Sequence, residues 1–230
     1  MGANAVTTVP VYTAGEVLTA ADLNITNSGI PVFATTTTRD AAFGGTGEKT
    51  LAEGQFAYIE ATDQTQYYSG SSWLALGGKL GQVVSTTKTD TFTMASQTYA
   101  TVTGLTATIT PSSTSSKVLV IASLSATGQN SVSYASARLI RDSTPIAVGT
   151  SVSNRIASTA PINIGAGASL FSAILLNLDS PSSTSALVYG LQVRTNDPAA
   201  TMYVNRSETD SDNSSYPRPV STITVMEILA

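Results

Sequence analysis

The sequence predicts a mostly β protein, in which a small N-terminal β-meander with a short helix precedes an antiparallel β-sandwich of jelly-roll type. Three observations predict this fold class. Short apolar segments separated by Ser, Pro, Gly and Asp recur along residues 83–229, and their number, about eight to ten, is typical of a sandwich or jelly roll. Ser and Thr supply about 28% of the residues. Charged residues supply only 11%, compared with about 25% in a typical globular protein. Apolar and hydroxyl residues also alternate strictly in Leu105–Thr110, as in a strand with one buried face.

The chain of 230 residues divides into three predicted regions. Residues 1–35 are expected to form an attachment arm, in which Thr19 and Asp22 fit the start of a short helix. Residues 36–80 are expected to form the meander, and residues 81–230 the sandwich. The paired glycines of Gly77–Gly81 predict a hinge between the last two regions.

The meander is predicted from three short strands, Gln55–Glu60, Thr65–Tyr68 and Trp73–Leu76, joined by tight turns. Its aromatic residues are Phe56, Tyr58, Tyr67, Tyr68 and Trp73. A carbohydrate platform around Trp73 is one interpretation of this cluster, and packing in a small core is the more common role of such residues. The glycine-rich segment Gly44–Gly47 does not connect a predicted strand to a predicted helix, so it is predicted to be a loop and not a phosphate-binding site.

In the sandwich, Lys117–Ala126 is predicted to be a central strand, because its even positions are apolar throughout. The other predicted strands are Val83–Thr89, Thr98–Thr103, Leu105–Thr110, Val132–Arg141, Ile146–Gly149, Ser169–Leu178, Ala186–Thr195, Thr201–Arg206 and Ser221–Leu229.

The segment Ser169–Leu178 is apolar on both faces. Leu170, Ile174, Leu176 and Leu178 share one face, and Phe171, Ala173 and Leu175 share the other. A thin sandwich covers only one face of each strand, so the second face of this strand predicts a subunit interface.

Composition excludes several classes of function. The chain has no Cys and no His, which removes thiol and histidine catalysis, disulfides and the commonest ligands of zinc. The net charge of −4 and the scattered basic residues argue against nucleic-acid binding. We recognise neither a secretory signal nor a membrane-spanning segment in the sequence.

No catalytic residue, cofactor or metal ligand is predicted. Glu208, Asp210, Asp212 and Asn213 could offer oxygen atoms to a calcium ion, but their spacing matches no EF-hand loop, and a solvated acidic loop is the simpler interpretation. Glu227 is predicted to lie at an exposed strand edge, with a place at a subunit junction as the alternative. Surface or interface ion pairs are predicted for a further group of residues, namely Arg138, Arg141, Asp142 and Asp179.

The order of these parts resembles structural proteins of tailed bacteriophage virions. The resemblance is carried by TAGEVLTAADLN at residues 13–24, FATTTTRDAAF at residues 33–43, GQFAYIEATDQTQYYSGSSWLAL at residues 54–76, and STITVMEIL at residues 221–229. The first two-fifths of the chain resemble an attachment segment with the β-meander of phage fibre-like proteins, and residues 82–230 resemble a C-terminal jelly-roll tip of such proteins.

The resemblance implies a non-enzymatic homotrimer in the virion, synthesised in the host cytoplasm, with its N-terminal region fixed to other virion proteins. A tail-associated fibre or receptor-binding protein is favoured, and a capsid-attached head fibre or decoration protein is the alternative. A glycan depolymerase using carboxylates is a third, weaker hypothesis. Host glycan or protein would be bound by distal loops, expected at Thr127–Ser131, Thr150–Ile164 and Ser207–Pro219.

Overall fold

The computed structural model of the protein describes residues 6–9, 11–17, 29–46, 48–129, 134–163 and 170–229. The helix predicted from Thr19 and Asp22 lies outside these residues. The chain forms two compact units, Met1–Gly78 and Lys79–Ala230. No helix in the described part of the chain has both the length and the apolar character needed to span a membrane.

The first unit contains a four-stranded sheet. Its strands are β1 (Val32–Phe33), β2 (Phe56–Ile59), β3 (Gln64–Tyr68) and β4 (Trp73–Ala75). Strands β1 and β2 are parallel, and β2, β3 and β4 form the predicted antiparallel meander. A turn of 3-10 helix, Glu60–Thr62, connects β2 to β3.

A short helix, α1 (Thr36–Asp40), occupies the run of four threonines, which the sequence did not identify as helical. Thr is a poor helix former, but a capping box compensates for this here. The Thr38 backbone N–H donates to Thr35 Oγ1 at 3.2 Å, and the Thr35 N–H donates to Thr38 Oγ1 at 3.0 Å. The paired threonines therefore satisfy two backbone donors at the helix start.

The second unit is an antiparallel sandwich of two sheets, as predicted. Its strands are β5 (Leu80–Lys88), β6 (Phe92–Met94), β7 (Ala100–Ile109), β8 (Lys117–Gly128), β9 (Tyr134–Arg141), β10 (Thr144–Ile146), β11 (Ala160–Asn163), β12 (Phe171–Asp179), β13 (Leu187–Thr195), β14 (Met202–Val204) and β15 (Ser221–Ile228). Strands β6 and β11 were not predicted, and the two segments predicted on either side of Gly104 form the single strand β7.

The front sheet contains β5, β6, β8, β12, β14 and β15, and the back sheet contains β7, β9, β10, β11 and β13. In the front sheet β12 pairs with one edge of β8, while β15 and β14 follow one another along its other edge. Strand β5 pairs with the outer edge of β15, and β6 pairs with the outer edge of β14. In the back sheet β9 lies between β13 and the pair β10 and β11. If each interrupted pair is taken as one strand, eight strands run in the order 1-8-3-6 in front and 2-7-4-5 behind, which is a jelly roll.

The core lies between the two sheets. It includes the even positions of β8, Val118 to Ala126, which are fully buried as predicted, and Leu139, Tyr189 and Leu191 of the back sheet. In β7 the apolar residues Leu105, Ala107 and Ile109 face this core, and the intervening threonines face outward. The alternation in the sequence therefore identified the buried face of β7 correctly.

The sandwich has two distinct ends. Lys79 lies at the same end as the turns before β8 and after β12, because its carbonyl accepts from the Leu229 N–H at the end of β15. Strands β8 and β11 both run toward the opposite end, where β9 and β12 begin. We call this opposite end the far end. Lys79, the first residue of the second unit, therefore lies at the end of the sandwich opposite the far end.

A buried asparagine organises the break between β14 and β15. Asn205 has φ of +58° and no exposed surface. Its side-chain amide donates to the carbonyls of Lys88 and Asp90 at 2.9 and 3.0 Å, and Ser221 Oγ donates to its Oδ1 at 2.6 Å. One side chain therefore fixes the positions where two adjacent strands are both interrupted.

Candidate functional site

Trp73 belongs to the small core of the first unit. Its ring lies 5.9 Å from that of Phe43 and 5.5 Å from that of Tyr68, and the Arg39 guanidinium lies over it at 4.6 Å. Arg39 is itself buried and donates to Asp40 and Gln66. These contacts favour core packing as the role of the partly buried Trp73, because the Arg39 guanidinium covers one face of its ring.

The acidic loop of residues 207–219 is held by ion pairs. Asp210 accepts from Arg206 at 3.1 Å and from Arg218 at 2.7 Å, and these arginines lower the pKa of its carboxyl group, Arg218 most strongly. Among the described residues, no cluster of three or more acidic groups could hold a metal ion. Both arginines occupy the Asp210 carboxylate. This carboxylate is therefore not available to join Glu208, Asp212 and Asn213 in binding a calcium ion.

Of the four residues predicted to form ion pairs, two do so with each other. Arg141 Nη1 donates to Asp179 Oδ2 at 2.6 Å, and the buried Tyr189 hydroxyl donates to the same oxygen at 2.7 Å. Because Asp179 is in β12 and Tyr189 in β13, this cluster links the front and back sheets. Asp142 instead accepts from the Val188 backbone N–H. Arg138 binds Gln192. Neither Asp142 nor Arg138 forms an ion pair within the described chain, and an ion pair of either residue at a subunit interface stays a prediction.

The prediction that Glu227 lies at an exposed edge is wrong. Strand β15 lies between β5 and β8, and Glu227 faces inward with 1% of its surface exposed. The backbone N–H and the hydroxyl of Ser112 both donate to Glu227 Oε1 at 2.6 Å. The charge is therefore tolerated inside because it closes the turn that precedes β8.

We predict that Glu227 contributes pH-dependent stability. Burial raises the pKa of its carboxyl group, but hydrogen bonds from Ser112 and the Gln82 backbone outweigh burial and lower the pKa below its ordinary 4.5. The stabilisation is therefore present above about pH 4.5 and is lost as the pH falls through the lower folded-state value. Glu227→Gln should reduce the free energy of unfolding at pH 7 by about 1–3 kcal/mol, with a smaller difference from wild type in acid.

Urea unfolding from pH 7 to pH 3 would measure this difference. Asp212→Asn, at an exposed position of the acidic loop, is the matched control for removing one carboxylate charge. A gap between wild type and the Glu227→Gln variant that stays constant over this range would contradict the assignment.

The outer face of the front sheet carries an apolar surface. In β12 the side chains of Ile174, Leu176 and Leu178 are 71%, 60% and 48% exposed, whereas Leu175, facing the core, is 1% exposed. The apolar character predicted on both faces of this strand is therefore present. One of those faces lies uncovered in the single chain.

Strand register extends this surface across the sheet. Leu178, Leu119, Met226 and Val83 lie side by side on β12, β8, β15 and β5. The next row is Leu176, Ile121, Thr224 and Ser85, and the third is Ile174, Ser123, Thr222 and Thr87. We call these three rows the front apolar face. No charged side chain occurs in them, so the surface passes from aliphatic groups to hydroxyl groups without a formal charge.

The three predicted distal loops occupy different places. Thr127 and Gly128 lie at the far end of β8, and Asn130 and Ser131 are outside the described residues. Residues 150–159 connect β10 to β11 along the side of the back sheet, and Ile164 is not described. Residues 207–219 connect β14 to β15 within the front sheet. Of the three loops, the one that begins at Thr127 lies at the far end of the sandwich. The loops at 150–159 and 207–219 each lie between two strands that follow one another along the same edge of a neighbouring strand.

No protein-family model and no curated protein matches the chain. It is similar to solved structures of T=1 particles derived from infectious bursal virus (12% identity, 72% of this chain, 49% of that chain, TM-score 0.33). It is also similar to a structure of the Gx strain of infectious bursal disease virus (13% identity, 70% of this chain, 45% of that chain, TM-score 0.29). A third similar structure is the VP2 subviral particle of that virus (13% identity, 76% of this chain, 46% of that chain, TM-score 0.32). The chain spans about half the length of these structures, and at such TM-scores the likeness carries no argument about its function.

Proposed function

We propose that this chain is a non-enzymatic structural protein of a virus particle, and that it assembles as a homotrimer through the front apolar face. The observation that carries the proposal is the exposure of Ile174, Leu176 and Leu178 in register with Leu119 and Met226. Monomeric proteins rarely leave so continuous an apolar surface in water, and such surfaces mark sites of association.

A second copy of this chain is the partner that best fits the face. Because its three rows carry no charge, identical faces can meet without repulsion between like charges. The hydroxyl groups at its polar side, such as the Ser85 and Thr224 pair 2.9 Å apart, can form hydrogen bonds with polar groups of a neighbouring subunit. The number of three subunits rests on the sequence resemblance to phage fibre-like proteins.

Within the particle, a tail-associated fibre or receptor-binding protein is the role we favour. The chain enters the sandwich at Lys79, at the end opposite the starts of β9 and β12. The far end of the sandwich is the part that we propose meets a host surface. A capsid-attached head fibre or decoration protein, which would use the same trimer, is the alternative.

Sedimentation equilibrium of the full chain and imaging of labelled particles test the proposal together. A trimer at micromolar concentration, with a label at residue 1 found on the tail, is the expected result. Label spread over the head would replace the receptor-binding role with the capsid role. A monomer at all accessible concentrations, together with no label on particles, would overturn the proposal.

A further inference from the structure

Two arginines on the back sheet converge on one tyrosine ring. The guanidinium carbon of Arg138 lies 3.9 Å from the centre of the Tyr99 ring, and that of Arg194 lies 5.9 Å from it. Arg138 is in β9 and Arg194 in β13, both on the face of the sheet turned away from the core. The cluster lies toward the far end, because Arg194 pairs with Ser136 near the start of β9.

Neither arginine has a carboxylate partner among the described residues. Arg138 donates from Nε and Nη2 to the neutral side chain of Gln192 at 2.9 and 2.7 Å. Arg194 donates from Nε to the Thr195 carbonyl at 3.1 Å. By contrast, a carboxylate lies within 3.1 Å of each member of another set, Arg39, Arg141, Arg206 and Arg218.

Burial makes the missing counter-ion significant for Arg194, which is only 9% exposed. The terminal nitrogens of Arg194 are not among the fully buried polar atoms of the described chain, so an anion can reach them from solvent and would offset the partial desolvation of this guanidinium group. The exposed Arg155 also forms no ion pair with the described residues, but water can solvate its charge. Asp197, near Arg194 in sequence, forms no ion pair within the described residues and accepts from the Ala199 backbone N–H.

The contacts already present hold the two groups in place. Gln192, which binds Arg138, donates from Nε2 to Thr101 Oγ1 at 3.3 Å, and the Tyr99 hydroxyl donates to the Ala157 carbonyl at 3.0 Å. Nη1 of Arg138 and both terminal nitrogens of Arg194 have no hydrogen-bond partner in the described chain. Several donors of two neighbouring positive charges are therefore oriented but unused.

We propose that Arg138 and Arg194 form an oxyanion-binding site for the acidic groups of a host-surface polysaccharide. Guanidinium groups bind carboxylate and phosphate oxygens through paired N–H donors. Both groups occur on acidic polysaccharides, and both would neutralise this pair of charges. The choice of a polysaccharide rests on the proposed receptor-binding function, whereas binding of the oxyanion itself does not depend on it.

Ligand-observed NMR of the full chain tests the site, with sodium glucuronate and inorganic phosphate as probes. We expect saturation transfer to glucuronate, or broadening of the phosphate signal, to be saturable and to weaken as salt concentration rises. Arg194→Gln should reduce affinity at least tenfold and Arg138→Gln several-fold. Lys117→Gln removes an exposed positive charge at the start of β8, at the end of the sandwich opposite the far end. This control should leave binding unchanged.

The outcomes separate the two proposals. Binding of glucuronate alone would identify a carboxylated polymer, and binding of phosphate alone a phosphorylated one. Equal losses in the Arg194→Gln and Lys117→Gln proteins, or no saturable binding to wild type, would overturn the site. If Arg194→Gln fails to fold, Arg138→Gln and the charge-conserving Arg194→Lys provide the same comparison. A protein that is monomeric yet binds both probes would contradict the trimer and leave this site intact.

Discussion

Replacing Leu176 with aspartate is expected to convert the proposed trimer into a monomer while leaving the sandwich folded. Leu176 lies at the centre of the front apolar face, paired with Ile121, and is 60% exposed in the single chain. Burying a leucine side chain contributes about 1.5–3 kcal/mol per site, and a trimer would bury three of them. An aspartate there replaces this gain with the cost of burying a charge.

Sedimentation velocity over a hundredfold range of concentration would measure the change. Val152→Asp is the matched control, since Val152 is 54% exposed and lies in the loop between β10 and β11, outside the three rows of the front apolar face. This control should remain a trimer. If both variants keep the wild-type mass, or if wild type is already a monomer, the front apolar face is not the interface. A far-ultraviolet circular dichroism spectrum equal to that of wild type would show that the Leu176→Asp protein is still folded.

The strands that sequence patterns predict well are those whose neighbours impose one simple rule. Leu105–Thr110 alternates because one face meets the core, and Lys117–Ala126 is apolar at every even position because β8 lies in the middle of the front sheet. Both assignments follow from the two-residue period of a strand. The two-sided pattern of Ser169–Leu178 is equally local, which is why the exposed face of β12 could be predicted.

The errors arise where a distant residue decides the environment. Glu227 reads as an exposed charge, but its partner Ser112 is 115 positions away in sequence. The interruption of β7 predicted at Gly104 does not occur, because this glycine adopts φ of +77° and the strand continues past it with a change of register. Propensity alone likewise could not reveal that Thr35 and Thr38 cap α1.

The candidate surfaces differ in the same way. Ile174, Leu176 and Leu178 share a strand, so their sequence spacing places them on one face. The rows that include Leu119, Met226 and Val83 depend on the pairing of four strands from separate parts of the chain. The cluster of Arg138, Arg194 and Tyr99 also depends on pairing, and no spacing in the sequence could have signalled it.

Replacing Asn205 with alanine is expected to cause a large loss of stability for the change of a single polar side chain. The change removes the donors to the Lys88 and Asp90 carbonyls and the acceptor for the Ser221 hydroxyl. Each buried polar group left without a partner costs about 1–3 kcal/mol. Alanine also tolerates the observed φ of +58° less well than asparagine. We therefore expect the free energy of unfolding to fall by about 3–4 kcal/mol.

Three variants separate these causes in urea unfolding at one fixed protein concentration, since unfolding of an oligomer depends on concentration. Asn205→Gly relieves the backbone strain but loses the same hydrogen bonds, so it should be less damaging than alanine by about 1 kcal/mol. Asn205→Asp keeps the shape and the acceptor for Ser221, but it turns a carboxylate oxygen toward two carbonyls and should be destabilised most at neutral pH. Asn154→Ala, at an exposed loop position, should match wild type. An Asn205→Ala protein as stable as wild type would mean that the strand break is held by the surrounding strands and not by this side chain.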